Sequence, residues 1–439
     1  MKKAILILAA ISLLLVLFLP FSGKFFGKKP KPANETVANA DIDIAKLKPP
    51  KKLLSLENYL TRLSESGAPT DLQGILMQTL EGKVLVEHNA DTPLNPASVM
   101  KLSVSYLALK RFDPNHKFKT IAYTYGLIDE SKQVLYGDLI IETEGDPNFT
   151  LADANNLAAS IRSQGIKTVI GDLIVKGPLL LRHTSNPTYV NTKLRSSLGL
   201  RFTKPTKTNE TSKKGDSRIL LGVHSSQSLK ELLLYMNAHS DNYYAEHLGQ
   251  MLGGIEVIEK ELESEFKLKE EELIITHASG LDYNRITPRA SIKIFEKMVK
   301  LLRSYKMRIE DIMPVMGVDS GTLVTRLVES SLQGAVIAKT GTLHITDEGA
   351  SILQGMLYTK EHGPVLFAIF NMVGKVNYFR NEQDTLLKEL VTDLSLTPKT
   401  VRLENIFPDS EPILTEVKNF PSKKAYGRRN VSIKSKKRR

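Results

Sequence analysis

The sequence predicts an α+β fold in which one domain, an antiparallel sheet flanked by helices, is interrupted by an inserted, mostly-β domain. Two observations carry that reading. Strand-like runs stand at 74–80 and 83–88 and again at 335–339, 351–358 and 365–373, with a helical block between them. One sheet then has to be assembled from distant parts of the chain. Between 117 and 220 the texture changes, and strand candidates at 120–127, 133–142 and 168–176 alternate with turns and a single helix near 152–163.

Each element has a local reason. Leu54, Leu56, Leu60 and Leu63 recur at helical spacing, and Glu81-Gly82 separates the first two strand runs as a hairpin-like turn. Asn95-Pro96-Ala97-Ser98 reads as a helix start, with Asn95 as cap and Pro96 at the first helical position, and the helix runs to about Phe112. Further helices are expected at 229–237, 243–252, 255–266, 288–302, 322–330 and 383–394. The boundaries that follow are 1–27 for a signal peptide or membrane anchor, 28–51 for a Pro/Lys-rich linker, and 52–116 and 221–397 for the two parts of the principal domain. The insert is 117–220, and a basic C-terminal tail covers 398–439.

With 439 residues, 41% of them hydrophobic, the chain can bury a sizeable core in two or three domains. Cysteine is absent, which excludes disulfides, a thiolate nucleophile and cysteine-ligated metal. The nine histidines show no metal-ligand spacing, so neither a metal nor another cofactor is expected. The net charge of +12 belongs to the ends: six Lys within 1–31 and ten Lys or Arg within 418–439, with no acid in either stretch, leave about −4 for the rest. The folded body is therefore not basic, and nucleic acid is not an expected partner. Lys2-Lys3 followed by the apolar run 4–21 reads as an export segment, cleaved or kept as a membrane anchor. The basic tail suits anionic envelope polymers or a membrane surface better than nucleic acid.

Three short segments carry chemistry. In Ser98-Val99-Met100-Lys101 the two polar side chains are three residues apart on one helix face, so the amine can reach the hydroxyl. A serine needs a base to become a nucleophile, and a lysine serves as one only where burial or a nearby cation lowers its pKa. Lys339 could be that cation, which would bring two amines to the Ser98 hydroxyl. Ser264-Glu265-Phe266-Lys267 has the same pattern but sits in a charged helix without partner motifs. Ser240-Asp241-Asn242 falls between two helices, where Ser240 can relay protons and Asn242 can hold the lysine and a substrate amide; as a bare pattern it is equally an N-cap. Lys339-Thr340-Gly341-Thr342 ends an apolar strand, where Lys339 and Thr340 can bind a carboxylate and Gly341 lets a backbone approach closely.

Serine-x-x-lysine, Ser-Asp-Asn and Lys-Thr-Gly in this order are the signature of penicillin-binding proteins and class A β-lactamases. The chain resembles the D-alanyl-D-alanine carboxypeptidase/endopeptidase family of low-molecular-mass penicillin-binding proteins over about 52–397. Lys101 and Ser240 are 139 positions apart, room for that family's inserted domain and too many for a compact β-lactamase. Gly145-Asp146-Pro147, Gly171 to Val175, Ser279-Gly280-Leu281 with Asn284 to Pro288, and Met313 to Val318 with Gly321-Thr322-Leu323 also resemble family segments. His277-Ala278 departs from the family's Asp-Gly.

The resemblance implies a penicillin-binding/β-lactamase-like transpeptidase fold and an exported enzyme that acts on peptidoglycan peptides ending in D-Ala-D-Ala, with β-lactams as inhibitors. It implies Ser98 as nucleophile, Lys101 as base, Ser240 and Asn242 as proton relay and peptide holder, and Lys339, Thr340, Gly341 and Thr342 as substrate-binding residues. The backbone N–H groups of Ser98 and Thr342 would form the oxyanion hole. The rivals are a β-lactamase, for which Glu144 to Asn148 would have to supply a deacylating carboxylate, and a non-catalytic cell-wall binding protein on the same fold.

Overall fold

The computed structural model describes residues 53–407 apart from 182, 183, 185 and 210–216. The apolar run at 4–21, the linker and the tail beyond 407 lie outside the described residues. The described part opens with α1 (Leu54–Glu65), β1 (Gln73–Thr79) and β2 (Val84–His88), then a 3-10 turn at Ala97–Val99 that runs into α2 (Met100–Arg111). There follow β3 (Lys117–Thr124), β4 (Leu127–Asp129), β5 (Val134–Tyr136), β6 (Leu139–Thr143), α3 (Leu151–Ser163), β7 (Thr168–Ile170) and β8 (Leu173–Lys176). After them come α4 (Pro187–Leu198), β9 (Arg201–Phe202), β10 (Thr206–Thr208) and β11 (Ile219–Ser228). The chain then forms α5 (Leu229–His239), α6 (Asn242–Met251), α7 (Ile255–Phe266), β12 (Leu273–Ile274), β13 (Arg285–Ile286) and α8 (Pro288–Ser304). It closes with β14 (Val336–Leu343), β15 (Ala350–Thr359), β16 (Gly363–Met372) and α9 (Val376–Asp393).

The sheet that joins the two ends has strand order β14-β15-β16-β1-β2, antiparallel throughout. It is covered on both faces, which is why β1 and β16 read as nearly continuous apolar runs. Along β16, Leu366, Ala368 and Phe370 face the helical core that contains α2 and α8. The alternate residues Val365, Phe367 and Ile369 pack with Tyr59 and Leu63 of α1 and with Phe379, Leu386, Leu387 and Leu390 of α9. Period-two alternation thus feeds two cores from one strand, each buried side chain contributing about 1.5–3 kcal/mol of transfer free energy. In α2 every residue from Met100 to Leu109 is buried, Lys101 included. A helix buried on all sides belongs in the centre of a core.

The three strand candidates of the insert are each two strands. They break at 125–126, 137–138 and 171–172, and the halves go to different sheets. One sheet has the order β10-β8-β6-β3-β11 and the other β4-β5-β7-β9. Glycine makes the crossing possible. A Cβ at Gly126 would lie 2.3 Å from the Tyr136 carbonyl oxygen, and one at Gly171 2.1 Å from that of Gly137. The insert also contains α4, which the sequence reading omitted although its signals are present: Asn186 accepts from the Tyr189 N–H, Pro187 occupies the first turn, and Gly199 closes the helix at φ 59°.

Two further expectations are corrected. Residues 322–330 form turns and not a helix, with Leu327 and Glu329 at φ 58° and 57° and Arg326 pinned to Asp384 at 2.6 Å. The last helix begins at Val376 and not near residue 383, because Phe379 anchors its first turn in the core.

Candidate active site

The 3-10 turn that carries Ser98 is not a simple helix start. Asn95 does not cap α2: its side-chain oxygen accepts from the Ala97 N–H, and its amide donates to Asp347 at 2.7 Å and to the Asp282 carbonyl at 2.9 Å. Ala97 is left-handed at φ 44°, a conformation that costs a non-glycine residue about 1–3 kcal/mol and persists where surroundings fix it. Two glycines do the fixing. A Cβ at Gly280 would lie 1.8 Å from the Ala97 carbonyl oxygen, and one at Gly341 2.6 Å from that of Pro96. The close approach that Gly341 permits is therefore to the protein's own Ser98 turn, where the sequence suggested a substrate backbone.

Lys101 lies one turn on, fully buried, while Ser98 remains partly exposed. Its Nζ donates to Ser98 Oγ at 2.9 Å, Asn242 Oδ1 at 2.7 Å and the Ser279 carbonyl at 2.7 Å. Burial pushes its pKa from 10.5 down to about 7, against the pull of the Glu246 and Asp241 carboxylates. An amine that is half deprotonated near neutrality and bonded to a serine hydroxyl can act as general base.

The Ser240-Asp241-Asn242 segment divides its labour. Asp241 caps α6 by accepting from the Tyr244 N–H at 3.0 Å, which leaves its two neighbours for the site. Ser240 ends α5 in the left-handed region at φ 57°. Its hydroxyl accepts from Lys339 Nζ at 2.9 Å. The expectation that Ser98 touches two amines is thus corrected: Ser98 bonds Lys101, and Lys339 bonds Ser240 and the Thr340 carbonyl, the latter at 2.7 Å. Lys339 is also fully buried, and its pKa is held well below the lysine range by burial and by repulsion from Lys101.

Lys339 to Leu343 form the outer half of β14, the edge strand of the main sheet. The other half of that edge is covered: Val315 bridges Ile337, the Met316 N–H donates to the Val336 carbonyl at 2.8 Å, and the Ala338 N–H to the Pro314 carbonyl at 3.3 Å. Among the described residues no strand continues alongside Lys339-Thr340-Gly341-Thr342, so that half presents a backbone edge on which an extended peptide can pair. Thr340 shares a hydroxyl–hydroxyl bond of 2.8 Å with Thr322, and the Thr322 N–H donates to the Ala238 carbonyl at 3.0 Å, which ties the strand to the end of α5.

The structure thus gathers all eight sequence-predicted site residues along one edge. Sequence reasoning missed several supports. Glu246 accepts from the Ser279 N–H at 2.8 Å and so orients the carbonyl that holds Lys101; its position one helical turn after Asn242 was a usable signal. Arg285 pairs with Asp347 at 2.6 Å behind Asn95, and the Arg380 guanidinium donates to Thr342 Oγ1 at 3.0 Å; neither contact has a local signature. Ser264 and Lys267 lie on and just after α7, away from these contacts. Glu144 accepts from the Lys119 N–H and pairs with His116, neither of them a site residue. Asp146 is buried, accepting from His224 at 2.9 Å.

A central antiparallel sheet between helical layers, with a serine and a buried lysine at its edge, is the architecture of penicillin-binding acyl-transfer enzymes. Residues 56–196 and 176–388 match the model of the D-Ala-D-Ala carboxypeptidase 3 (S13) family, and the chain belongs to that family. It is similar to the D-alanyl-D-alanine carboxypeptidase DacB of Haemophilus influenzae, with 28% identity over 103 residues, 24% of this chain and 21% of the relative. The D-alanyl-D-alanine carboxypeptidase of an Actinomadura species is 30% identical over 99 residues, 23% of this chain and 18% of the relative. The matched stretch thus spans about a fifth of each curated relative.

Solved structures extend the likeness in fold. Bd3459, a predatory peptidoglycan endopeptidase of Bdellovibrio bacteriovorus, superposes with a TM-score of 0.65 at 18% identity, covering 76% of this chain and 96% of that one. Penicillin-binding protein 4 (dacB) of Haemophilus influenzae, solved with a β-lactam, gives 0.60 at 20% identity over 76% and 99%.

Proposed function

We propose that the protein is a serine-type D-Ala-D-Ala carboxypeptidase/endopeptidase that trims peptidoglycan stem peptides through an acyl-enzyme on Ser98. The observation that carries the reading is the buried Lys101 amine, depressed to about 7 and 2.9 Å from a partly exposed Ser98 hydroxyl. Family membership supports the substrate class.

In this reading a peptide pairs along the open half of β14 with the carbonyl of its penultimate D-alanine over Ser98. Ser98 Oγ forms a bond to that carbon as its proton passes to Lys101 Nζ. The backbone N–H groups of Ser98 and Thr342 hold the resulting oxyanion, each worth about 100- to 1,000-fold in rate by analogy with other oxyanion holes. Collapse breaks the C–N bond, and the departing amine takes a proton from the Ser240 hydroxyl. That proton is made good by the one that Lys101 took from Ser98, so that Lys101 is neutral again and Lys339 keeps Ser240 in place. Water then attacks the acyl-enzyme and gives a proton to Lys101, which returns it to Ser98 Oγ as the ester C–O bond breaks. Lys339 and Thr340 bind the terminal carboxylate, and Asn242 holds Lys101 and the peptide amide. A β-lactam presents the same carbonyl and carboxylate and would acylate Ser98. The work is extracytoplasmic, with the apolar run at 4–21 as the export segment or anchor.

Incubation with a pentapeptide ending in D-Ala-D-Ala and, separately, with a cross-linked peptide dimer tests the proposal. Release of D-alanine or of monomer, abolished in Ser98→Ala, is expected. Intact peptides in both cases, together with no covalent penicillin adduct, would leave the reading without support.

A further inference from the structure

Three segments with left-handed residues meet at the buried side chain of Asn95. Ala97 stands at φ 44°, Asp282 at 59°, and Asp347 and Glu348, in the loop between β14 and β15, at 56° and 54°. Non-glycine residues hold such angles where their surroundings fix them, and they gather at functional sites. The Asn95 amide joins the three, donating to the Asp282 carbonyl at 2.9 Å and to the Asp347 carboxylate at 2.7 Å. That carboxylate is a fixed point. Its two oxygens also accept from the Arg285 guanidinium, at 2.6 and 3.2 Å. Arg285 is held in turn, donating to the Asn284 carbonyl at 2.7 Å and lying 3.9 Å over the Tyr283 ring. The Asp347 backbone is anchored to the end of β16, since the Val373 N–H donates to its carbonyl and the Gly374 N–H to that of Glu348, each at 3.2 Å.

The bond from Asn95 to Asp347 closes a ring through the reaction centre. Asn95 is three residues before Ser98 and Asp347 five residues after Thr342, and the backbone N–H groups of Ser98 and Thr342 are the two oxyanion donors. These donors belong to separate segments, a 3-10 turn and an edge strand, far apart along the chain. Their spacing is set where the segments touch. One touch is at Gly341, where a Cβ would lie 2.6 Å from the Pro96 carbonyl oxygen, and it limits how near the segments come. The other is the Asn95–Asp347 bond, which keeps them from parting. Through the Ala97 N–H, which donates to Asn95 at 3.0 Å, the same bond holds the turn that aims Ser98. A shift of about 1 Å in such a constellation can cost on the order of 100-fold in rate.

We propose that Asp347 is a positioning residue that sets the spacing of the oxyanion hole, acting through Asn95 on the Ser98 turn. The inference rests on the acyl-enzyme reading above and adds to it a residue from the β14–β15 loop that lies outside the three motifs. It accounts for a loop that keeps two successive non-glycine residues left-handed, since that path carries the carboxylate back to the turn before Ser98.

The test uses the full chain, with benzylpenicillin for acylation and phenylboronic acid as a probe of the hole. Boron bonded to Ser98 Oγ is tetrahedral and places an oxygen where the oxyanion forms. Asp347→Gly removes the carboxylate and accepts φ 56° without strain. It should lower the acylation rate by about 10- to 100-fold and weaken phenylboronic acid by a similar factor. The acid limb of its pH–rate profile should stay in place, because Lys101 bonds Ser98, Asn242 and Ser279 and no member of this network. Asn95→Asp sets two carboxylates against each other and should lose as much. The double variant Asn95→Asp/Asp347→Asn offers the same bond with donor and acceptor exchanged, and should recover part of the loss. An unchanged rate in Asp347→Gly, a fall in rate without weaker boronic acid binding, a displaced acid limb, or no recovery in the exchanged pair would each overturn the inference. A wild-type chain that takes up neither compound would instead overturn the acyl-enzyme reading itself.

Discussion

Replacing Lys101 by methionine should strongly slow acylation and yet make the protein more stable. The side chain is fully buried and its pKa has moved from 10.5 to about 7, so holding it protonated in the native state is costly. At 1.36 kcal/mol per pKa unit the cost reaches about 5 kcal/mol at low pH and is about 4 kcal/mol at pH 7. Below pH 7 the amine is protonated in both states and the full cost applies. Between pH 7 and 10.5 the native amine is neutral while the unfolded one is charged, so unfolding binds a proton and stability rises with pH. At pH 9 about 2 kcal/mol of the cost remains. Methionine removes all of it but leaves the buried Ser279 carbonyl without the Lys101 donor, a loss of about 1–3 kcal/mol. Lys101→Met should therefore be about 1–3 kcal/mol more stable than wild type at pH 7, and that advantage should shrink by about 2 kcal/mol at pH 9. Urea unfolding at the two pH values measures both quantities. A difference between the proteins that does not change from pH 7 to pH 9 would refute a depressed Lys101.

The acid limb of the acylation rate should fall near pH 7, and Glu246→Gln, which keeps the Ser279 bond but removes a carboxylate that raises the Lys101 pKa, should move that limb to lower pH; a limb unmoved in stopped-flow acylation would contradict the assignment. Gly280→Ala puts a methyl group 1.8 Å from the Ala97 carbonyl at φ 84°, whereas Gly67→Ala meets nothing within 4 Å at φ 87°. The first variant should lose penicillin labelling and more than the roughly 1–3 kcal/mol of backbone strain, and the second should lose only the strain and keep labelling. Arg402→Met strands the fully buried Asp319 carboxylate, so thermal or urea unfolding should show a loss of about 3–5 kcal/mol without a change in the acylation rate.

Much of the site was legible because the chemistry demands particular residue types at short spacings. A serine three residues before a lysine shares its helix face, and a strand that ends in Lys-Thr-Gly-Thr declares both the charge and the close approach. What sequence could not give is which amine serves which hydroxyl. Lys101 and Lys339 are equivalent as letters, and only the left-handed turn at Ser240 brings Lys339 to that serine and away from Ser98. The flanking strands were legible for a similar reason, since a sheet buried on both faces leaves apolar runs. Inside the insert the same runs misled, because continuous apolar residues on both sides of Gly137 and Gly171 hide a change of sheet. Residues 322–330 carry Leu323 and Leu327 at helical spacing, yet the pairing of Arg326 with Asp384, far along the chain, accompanies a path of turns. Arg380 is the clearest case of a contact without a local trace, since α9 and β14 meet only in the folded sheet.

The central claim is that the Ser98 hydroxyl, bonded to Lys101, is the nucleophile. Mass spectrometry of the intact chain after benzylpenicillin, followed by peptide mapping, addresses it most directly. One adduct on the peptide containing Ser98, absent from Ser98→Ala and strongly slowed in Lys101→Met, is the result expected. An adduct that survives in Ser98→Ala, or that maps to another residue, would contradict it.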